Sequence, residues 1–273
     1  VAVEVDVVRT NLQLGFEGGK SGFFAHVGTL VCPSIMPTKI LSLWSGPRNV
    51  STALMYSFAE REDTTVIDEP LYGHYLSLTH APQPHWEELM EQLETDGETV
   101  VREVILKPPD VPLFFIKNMA HHLIDLDARF LDELTNVFLI RDPEQMLPSL
   151  VNQIAEPTPR DVALEQQAQL FRDLTERGSE PLVIDSKALL LDPEKVLRRL
   201  CERVEIPFDP AMLSWEPGPR PEDGPWAPYW YHNLHKSTGF APYAEKTNPF
   251  PEALVPLLEA SRPHYEFLLE RAL

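Results

Sequence analysis

TKILSLWSGPRNVST, residues 38–52, is the stretch on which the reading of this chain turns. Thr38–Trp44 is a short apolar run rich in strand formers. Ser45-Gly46-Pro47-Arg48-Asn49-Val50 follows as a turn-rich loop. Ala53, Leu54, Tyr56, Ser57, Phe58 and Ala59 then keep helical spacing as far as the charged Arg61-Glu62-Asp63. Strand, loop and helix in this order open a βαβ unit. The N-terminus of such a helix exposes unpaired N–H groups and the positive end of its dipole, so a phosphate or sulfate can sit there. Ser51 and Thr52 add hydroxyl donors, and Arg48 adds a fixed charge with forked donors. The plainer alternative is that Asn49 or Ser51 only caps the helix. The loop does not match G-x-x-x-x-G-K-[ST], which argues against ordinary nucleoside-triphosphate hydrolysis.

Downstream of residue 52 the same alternation repeats. Thr65–Ile67 reads as a second strand ending at Asp68-Glu69, and Leu113–Ile116 as a third ending at Lys117. Val137–Ile140 reads as a fourth ending at Arg141-Asp142-Pro143, and Leu182–Ile184 as a fifth. Helices are expected around Trp86–Leu93, Arg129–Leu134, Glu144–Asn152, Arg160–Arg177, Glu194–Val204 and Glu252–Leu269. Short, continuously apolar strands separated by helices imply a three-layer α/β fold, a parallel sheet with helices on both faces. Ligands in such folds bind outside the carboxyl ends of the strands, and here each strand ends in polar residues that should converge on one edge.

Upstream, residues 1–35 hold five glycines and little clean periodicity, without the basic-then-apolar order of a signal peptide. They read as a flexible N-terminal extension or a start placed too far upstream, with the folded domain running over residues 36–273. The 273 residues are 43% hydrophobic and 24% charged, enough for one large core. The 27 prolines are spread along the chain and read as loop and helix-start punctuation rather than as disorder. A net charge of −19 disfavours nucleic acid and anionic membrane surfaces as partners. An anionic small ligand then needs local cations and backbone N–H groups. The two cysteines, Cys32 and Cys201, form no C-x-x-C pair, so neither a disulfide framework nor a zinc site is expected and a cytoplasmic location fits. No apolar run approaches the roughly 18–20 residues that span a bilayer.

The fourth strand carries the second anion motif. Pro143 opens the next helix, where its missing N–H costs little. Ser149, eight residues after Arg141, then lies on that helix within reach of an anion held by Arg141. The alternative is an Arg141–Asp142 surface pair and an exposed serine.

The two motifs in this order resemble the sulfotransferase family, P-loop-type proteins that use 3′-phosphoadenosine 5′-phosphosulfate (PAPS). Pro47-Arg48-Asn49-Val50-Ser51-Thr52 is similar to the family's P-[KR]-[ST]-G-[ST]-T loop, and Arg141-Asp142-Pro143 with Ser149 fits its second motif. The resemblance implies that Arg48, Ser51 and Thr52 hold the 5′-phosphosulfate and that Arg141 and Ser149 hold the 3′-phosphate. It also implies that Lys236, in a late basic loop, contacts that phosphate. From Ile40 to Phe240 the chain is further similar to a sulfotransferase-like branch fused in some plant proteins to aminotransferase-like domains. Trp44-Ser45-Gly46-Pro47-Arg48, Asp68-Glu69-Pro70-Leu71-Tyr72 and His235-Lys236-Ser237-Thr238-Gly239-Phe240 carry that likeness. Two departures stand out. Val50 replaces a glycine where close backbone approach is needed, which would widen the loop. Arg48 stands where many members have lysine, so it supplies charge rather than a proton.

Sulfuryl transfer needs a base near the acceptor and cations on the leaving phosphate. Glu69 is the leading base, as the family places a catalytic Glu there; burial against Leu71 and Tyr72 would raise its pKa. Asp68 competes with it, and a purely structural carboxylate is the alternative. Lys117 would neutralise developing charge, and His121 or His122 offers an alternative base. The aromatic segment Trp226–His235 is expected to line the acceptor pocket, stack on adenine or close as a lid. No metal is expected. The expected activity is sulfuryl transfer from PAPS to a small hydroxyl or amine acceptor. The alternatives are a nucleotide-dependent phosphotransferase and a catalytically silent nucleotide-binding or interaction module.

Overall fold

The alternating faces of five short strands build the core. In a strand, successive side chains point to opposite faces. Here Trp44, Phe138, Ile140 and Val183 enter one apolar cluster, while Leu41, Leu43, Val137, Leu139, Leu182 and Ile184 enter the other. Both faces are therefore covered, and each fully buried Leu, Ile or Phe contributes about 1.5–3 kcal/mol over its exposed state. The computed structural model describes residues 37–273, and the expectation for residues 1–35 lies outside them. The strands are β1 (Lys39–Ser45), β2 (Thr64–Asp68), β3 (Leu113–Met119), β4 (Thr135–Ile140) and β5 (Leu182–Asp185). They pair in parallel in the order β2-β3-β1-β4-β5.

Helix α1 (Ser51–Ala59) follows β1. After β2 come α2 (Tyr72–Thr79), α3 (Trp86–Met90) and α4 (Gly97–Val100), the last continuing into a π turn, Val101–Ile105. Between β4 and β5 lie α5 (Pro143–Leu150), α6 (Pro159–Val162) and α7 (Leu164–Glu176). Helices α8 (Ser186–Leu191), α9 (Pro193–Arg203), α10 (Ala227–Trp230) and α11 (Val255–Leu269) complete the chain. Helix α1 packs on one face with α8 and α9, and α5, α7 and α11 pack on the other. The three-layer parallel α/β architecture expected from the sequence is the one found.

Three expectations are corrected. The third strand does not end at Ile116: it runs on to Met119, with Lys117 and Asn118 paired inside the sheet against β1 and β2. Residues 160–177 are two helices, because Ala163 takes a φ of 64° and turns the chain between α6 and α7. The helix expected over Arg129–Leu134 is instead a 3-10 segment, Ala128–Glu133, capped by the Asp127 carboxylate, with Leu134 already extended.

Candidate functional site

The sheet's central strand places the first part of the site. β1 lies between β3 and β4, and the chain leaves it for the far edge strand β2 before crossing back to β4. The order of strands reverses here, which is where open parallel sheets bind ligands.

The loop after β1 owes its shape to side chains outside it. The Asn49 amide donates to the Leu139 carbonyl at 3.1 Å. Gln167, fully buried on α7, donates to the carbonyls of Trp44 at 2.9 Å and Leu139 at 3.0 Å. Ser186 donates to the carbonyls of Asn49 and Ile140, and Arg141 to that of Arg48 at 2.7 Å. Gly46 has no room for a side chain, since a Cβ there would stand 2.7 Å from the Val162 carbonyl oxygen. Arg48 and Val50 take φ values of 63° and 61°. Val50 thus adopts the left-handed backbone that a glycine would take without strain, at a cost of order 1–3 kcal/mol. No side chain caps α1, and its first helical bond is from Leu54 to Val50 at 3.1 Å. Neither Asn49 nor Ser51 is the cap. The N–H groups of Ser51, Thr52 and Ala53 precede that bond, and an anion there would meet them and the helix dipole.

Cations gather beside this loop. Arg141 lies next to it, and burial and then Arg48 hold its guanidinium below its usual pKa. Asp142 caps α5 through the Glu144 N–H, and Pro143 occupies the first turn. The Asp142 side chain is therefore spent on the helix rather than on Arg141. Ser149 lies on α5 and receives a hydrogen bond from the Lys246 ammonium. The Lys246 N–H also donates to Gln145 Oε1 at 2.8 Å. Burial, Arg141 and Arg48 lower the Lys246 pKa in that order. Among the described residues, none of Arg48, Arg141 and Lys246 forms an ion pair with a carboxylate. Lys246 had no signal in the sequence, for it lies in an irregular segment more than ninety residues from Ser149. Lys236 is exposed on a 3-10 turn, with no recorded contact to Arg141 or Ser149. Lys246, not Lys236, lies beside Ser149.

A second cluster forms at the carboxyl ends of β2 and β3. Lys117 is fully buried and donates to Asp68 Oδ1 at 2.8 Å and Glu69 Oε1 at 2.5 Å, with Tyr231 Oη at 2.9 Å. The Tyr231 hydroxyl donates to Asp68 Oδ2 at 2.7 Å. Burial alone would lower the Lys117 pKa, but Asp68 and Glu69 outweigh it and hold the ammonium well above its usual value. Burial pushes the Glu69 carboxyl up, Lys117 opposes, and Asp68 adds to the rise. The cluster thus engages all three ammonium protons of Lys117, which is a different task from neutralising a leaving phosphate. His122, not His121, faces Glu69, with Nδ1 3.9 Å from Glu69 Oε2. The His122 ring stacks on Tyr72 and Tyr75, and His121 meets Tyr75 edge-on. Burial drives the His122 pKa well below its usual value and that of His121 down to about 4. Trp226 and Tyr231 are buried over this cluster with Tyr72 and Tyr75. Asp223 ties the same segment to α1 through Tyr56 at 2.6 Å and to His235 at 2.9 Å.

Among the described residues, no group of three or more His, Cys, Asp or Glu could hold a metal, and no helix is long and apolar enough to cross a membrane. Two curated proteins of Arabidopsis thaliana, branched-chain-amino-acid aminotransferase-like proteins 2 and 1, are 41% and 39% identical over 231 residues, 84% of this chain. The chain spans 41% of the length of each. Solved structures with a similar course include the sulfotransferase domain of a Synechococcus olefin synthase (17% identity, 84% of this chain and 96% of that one, TM-score 0.47). Another is a sulfotransferase from Alicyclobacillus acidocaldarius (12% identity, 88% and 98%, TM-score 0.48). The family described as "Sulfotransferase domain" matches residues 38–272, nearly every described residue, and the chain belongs to that family.

Proposed function

We propose that the chain transfers a sulfuryl group from PAPS to a small molecule bearing a hydroxyl or amine. One observation carries this reading: Arg141 bonds the loop at Arg48 before the uncapped N-terminus of α1, Lys246 bonds Ser149 and feels the charges of both arginines, and none of the three has an ion-pair partner among the described residues. In a chain of net charge −19, unpaired cations beside free N–H groups suit an anion with two separated charged groups. In this reading Arg141, Ser149 and Lys246 hold the 3′-phosphate. The loop Pro47–Thr52 and Arg48 hold the 5′-phosphosulfate. The bond from sulfur to the phosphate oxygen breaks, a bond from sulfur to the acceptor atom forms, and Glu69 takes the acceptor's proton. Lys117 acts as a positioning residue for Glu69. The catalytic unit is residues 36–273, and a cytoplasmic setting belongs to the same proposal.

The test is calorimetric titration with 3′-phosphoadenosine 5′-phosphate, beside ATP with magnesium, for the wild type and Arg141→Ala. Binding near micromolar, roughly −8 kcal/mol, weakened at least about tenfold in the variant and absent for ATP, is the expected result. Absence of bisphosphate binding would refute the donor reading. One observation favours a second reading, a catalytically silent nucleotide-binding module: Lys117 already engages one Glu69 oxygen. Glu69→Ala separates the two. An enzyme loses turnover and keeps bisphosphate affinity, whereas a silent module shows no turnover with any acceptor before or after the change.

A further inference from the structure

The cluster around Glu69 differs from the donor site in what it lacks. Both Asp68 oxygens accept hydrogen bonds, from Lys117 and from Tyr231. Glu69 accepts one, on Oε1. Its Oε2 has no hydrogen-bond partner among the described residues, and His122 Nδ1 stands 3.9 Å from it. That Nδ1 is buried and unpartnered, on a residue only 2% exposed. The Nδ1 of His121, whose ring centroid is 4.5 Å from that of His122, is also buried and unpartnered. A neutral imidazole with an unprotonated Nδ1 is a hydrogen-bond acceptor there. Three polar atoms without a hydrogen-bond partner thus lie close together, beside one lysine shared by two carboxylates, and each Nδ1 accepts when its ring carries the proton on Nε2. With both carboxylates ionised the group carries a formal charge of −1. Tyr72 and Tyr75 stack on the His122 ring and hold it in place.

A neutral hydroxyl brings one proton to such a place, whereas an ammonium brings three and a positive charge. We infer that the acceptor is a primary amine, bound as its ammonium between Glu69 Oε2 and His122 Nδ1. This rests on the sulfotransferase reading of the donor site and narrows its acceptor class. The chemistry agrees with a site of two bases. An ammonium gives up one proton to expose its lone pair. The nitrogen then attacks sulfur as the sulfur–oxygen bond to the phosphate breaks, and the N–S product loses a second proton. Glu69 receives the first, and the second, released by the far more acidic N–S product, needs only the weak base that buried His122 provides. An alcohol needs only one base. The field of the whole chain, at −19, draws a cationic acceptor in and does nothing for a neutral one.

The experiment pairs acceptors of one skeleton, 2-phenylethylamine with 2-phenylethanol and glucosamine with glucose, and follows radiolabelled sulfuryl transfer from PAPS to each. Binding of 3′-phosphoadenosine 5′-phosphate is measured on the same preparations. Transfer to the amines over the alcohols is the expected result. His122→Phe, which keeps a ring between Tyr72 and Tyr75, should cut amine transfer roughly 10²–10⁴-fold and leave bisphosphate affinity unchanged. Alcohols sulfated in preference to amines, or amine transfer untouched in His122→Phe, would overturn the inference while leaving the donor site intact. Bisphosphate binding without transfer to either amine would also overturn it. Failure of bisphosphate binding in the wild type points instead to the donor reading.

Discussion

The two ends of the site have opposite electrostatics. Beside β1 and β4, burial and then Arg48 lower the pKa of Arg141, burial, Arg141 and Arg48 lower that of Lys246, and among the described residues none of the three cations is ion-paired with a carboxylate. Beside β2 and β3, Lys117 is saturated by Asp68, Glu69 and Tyr231, and the excess is of acceptors. The first end keeps cations without ion-pair partners, which a ligand anion would match. The second has its only buried cation already matched, so its charge serves the fold before it serves a ligand. Unpaired like charges point to binding, and a paired buried ion points to architecture.

That contrast is broken or sharpened by four measurements. The largest effect belongs to Lys117→Met, which leaves two buried carboxylates without their cation. It should cost about 3–5 kcal/mol in urea unfolding, and a loss below about 1 kcal/mol would remove the architectural role. Next comes acid sensitivity. The His121 pKa falls from 6.5 to about 4 on folding, so the unfolded chain binds its proton first. The stability it contributes is present above pH 6.5 and is lost as pH falls towards 4, by about 2 kcal/mol once its partial exposure is discounted. Glu69, pushed up, contributes with the opposite sign, so the comparison must be between wild type and His121→Gln. The variant should show a flatter fall in melting temperature between pH 7 and pH 5. Arg141→Ala should weaken bisphosphate binding by roughly 10–100-fold and shift unfolding by no more than about 0.5 kcal/mol; a large stability loss would make it architectural too. The smallest effect is expected from Val50→Gly. Relief of the left-handed strain offsets the lost apolar packing and the added chain entropy, so stability should stay within about 1 kcal/mol by thermal melting.

The sequence exposed the positive end better than the negative one, for a physical reason. Arg48 and Arg141 follow apolar strands directly, and a charge after an apolar run marks a strand's carboxyl end. Lys117 broke the same rule. It was read as a terminus, yet it lies inside β3 because Asp68 and Glu69 neutralise it from the neighbouring strand. Pairing across strands leaves no trace in local pattern. Ala163 misled in another way: a strong helix former gives no hint of a φ of 64°. Helix α2 went unread because Tyr72-Gly73-His74-Tyr75 has glycine in its first turn and no apolar period. Lys246 was invisible because its approach to Ser149 is set by the return of an irregular segment across α5.

The loop between β1 and α1 bears on how such sites can be moved between proteins. Its backbone carbonyls at Asn49 and Arg48 are held by Ser186 and Arg141, Gln167 holds the Trp44 carbonyl where the loop leaves β1, and Asn49 reaches out to β4. The motif's eight residues therefore do not encode its shape. Grafted alone onto another parallel sheet, Ser45–Thr52 would carry the letters and lose the conformation. A working transplant would have to bring Arg141 from the end of β4 and the donors borne on α7 and α8 of this chain. Conversely, a search for relatives that reads the loop alone will miss chains in which those distant donors do the shaping.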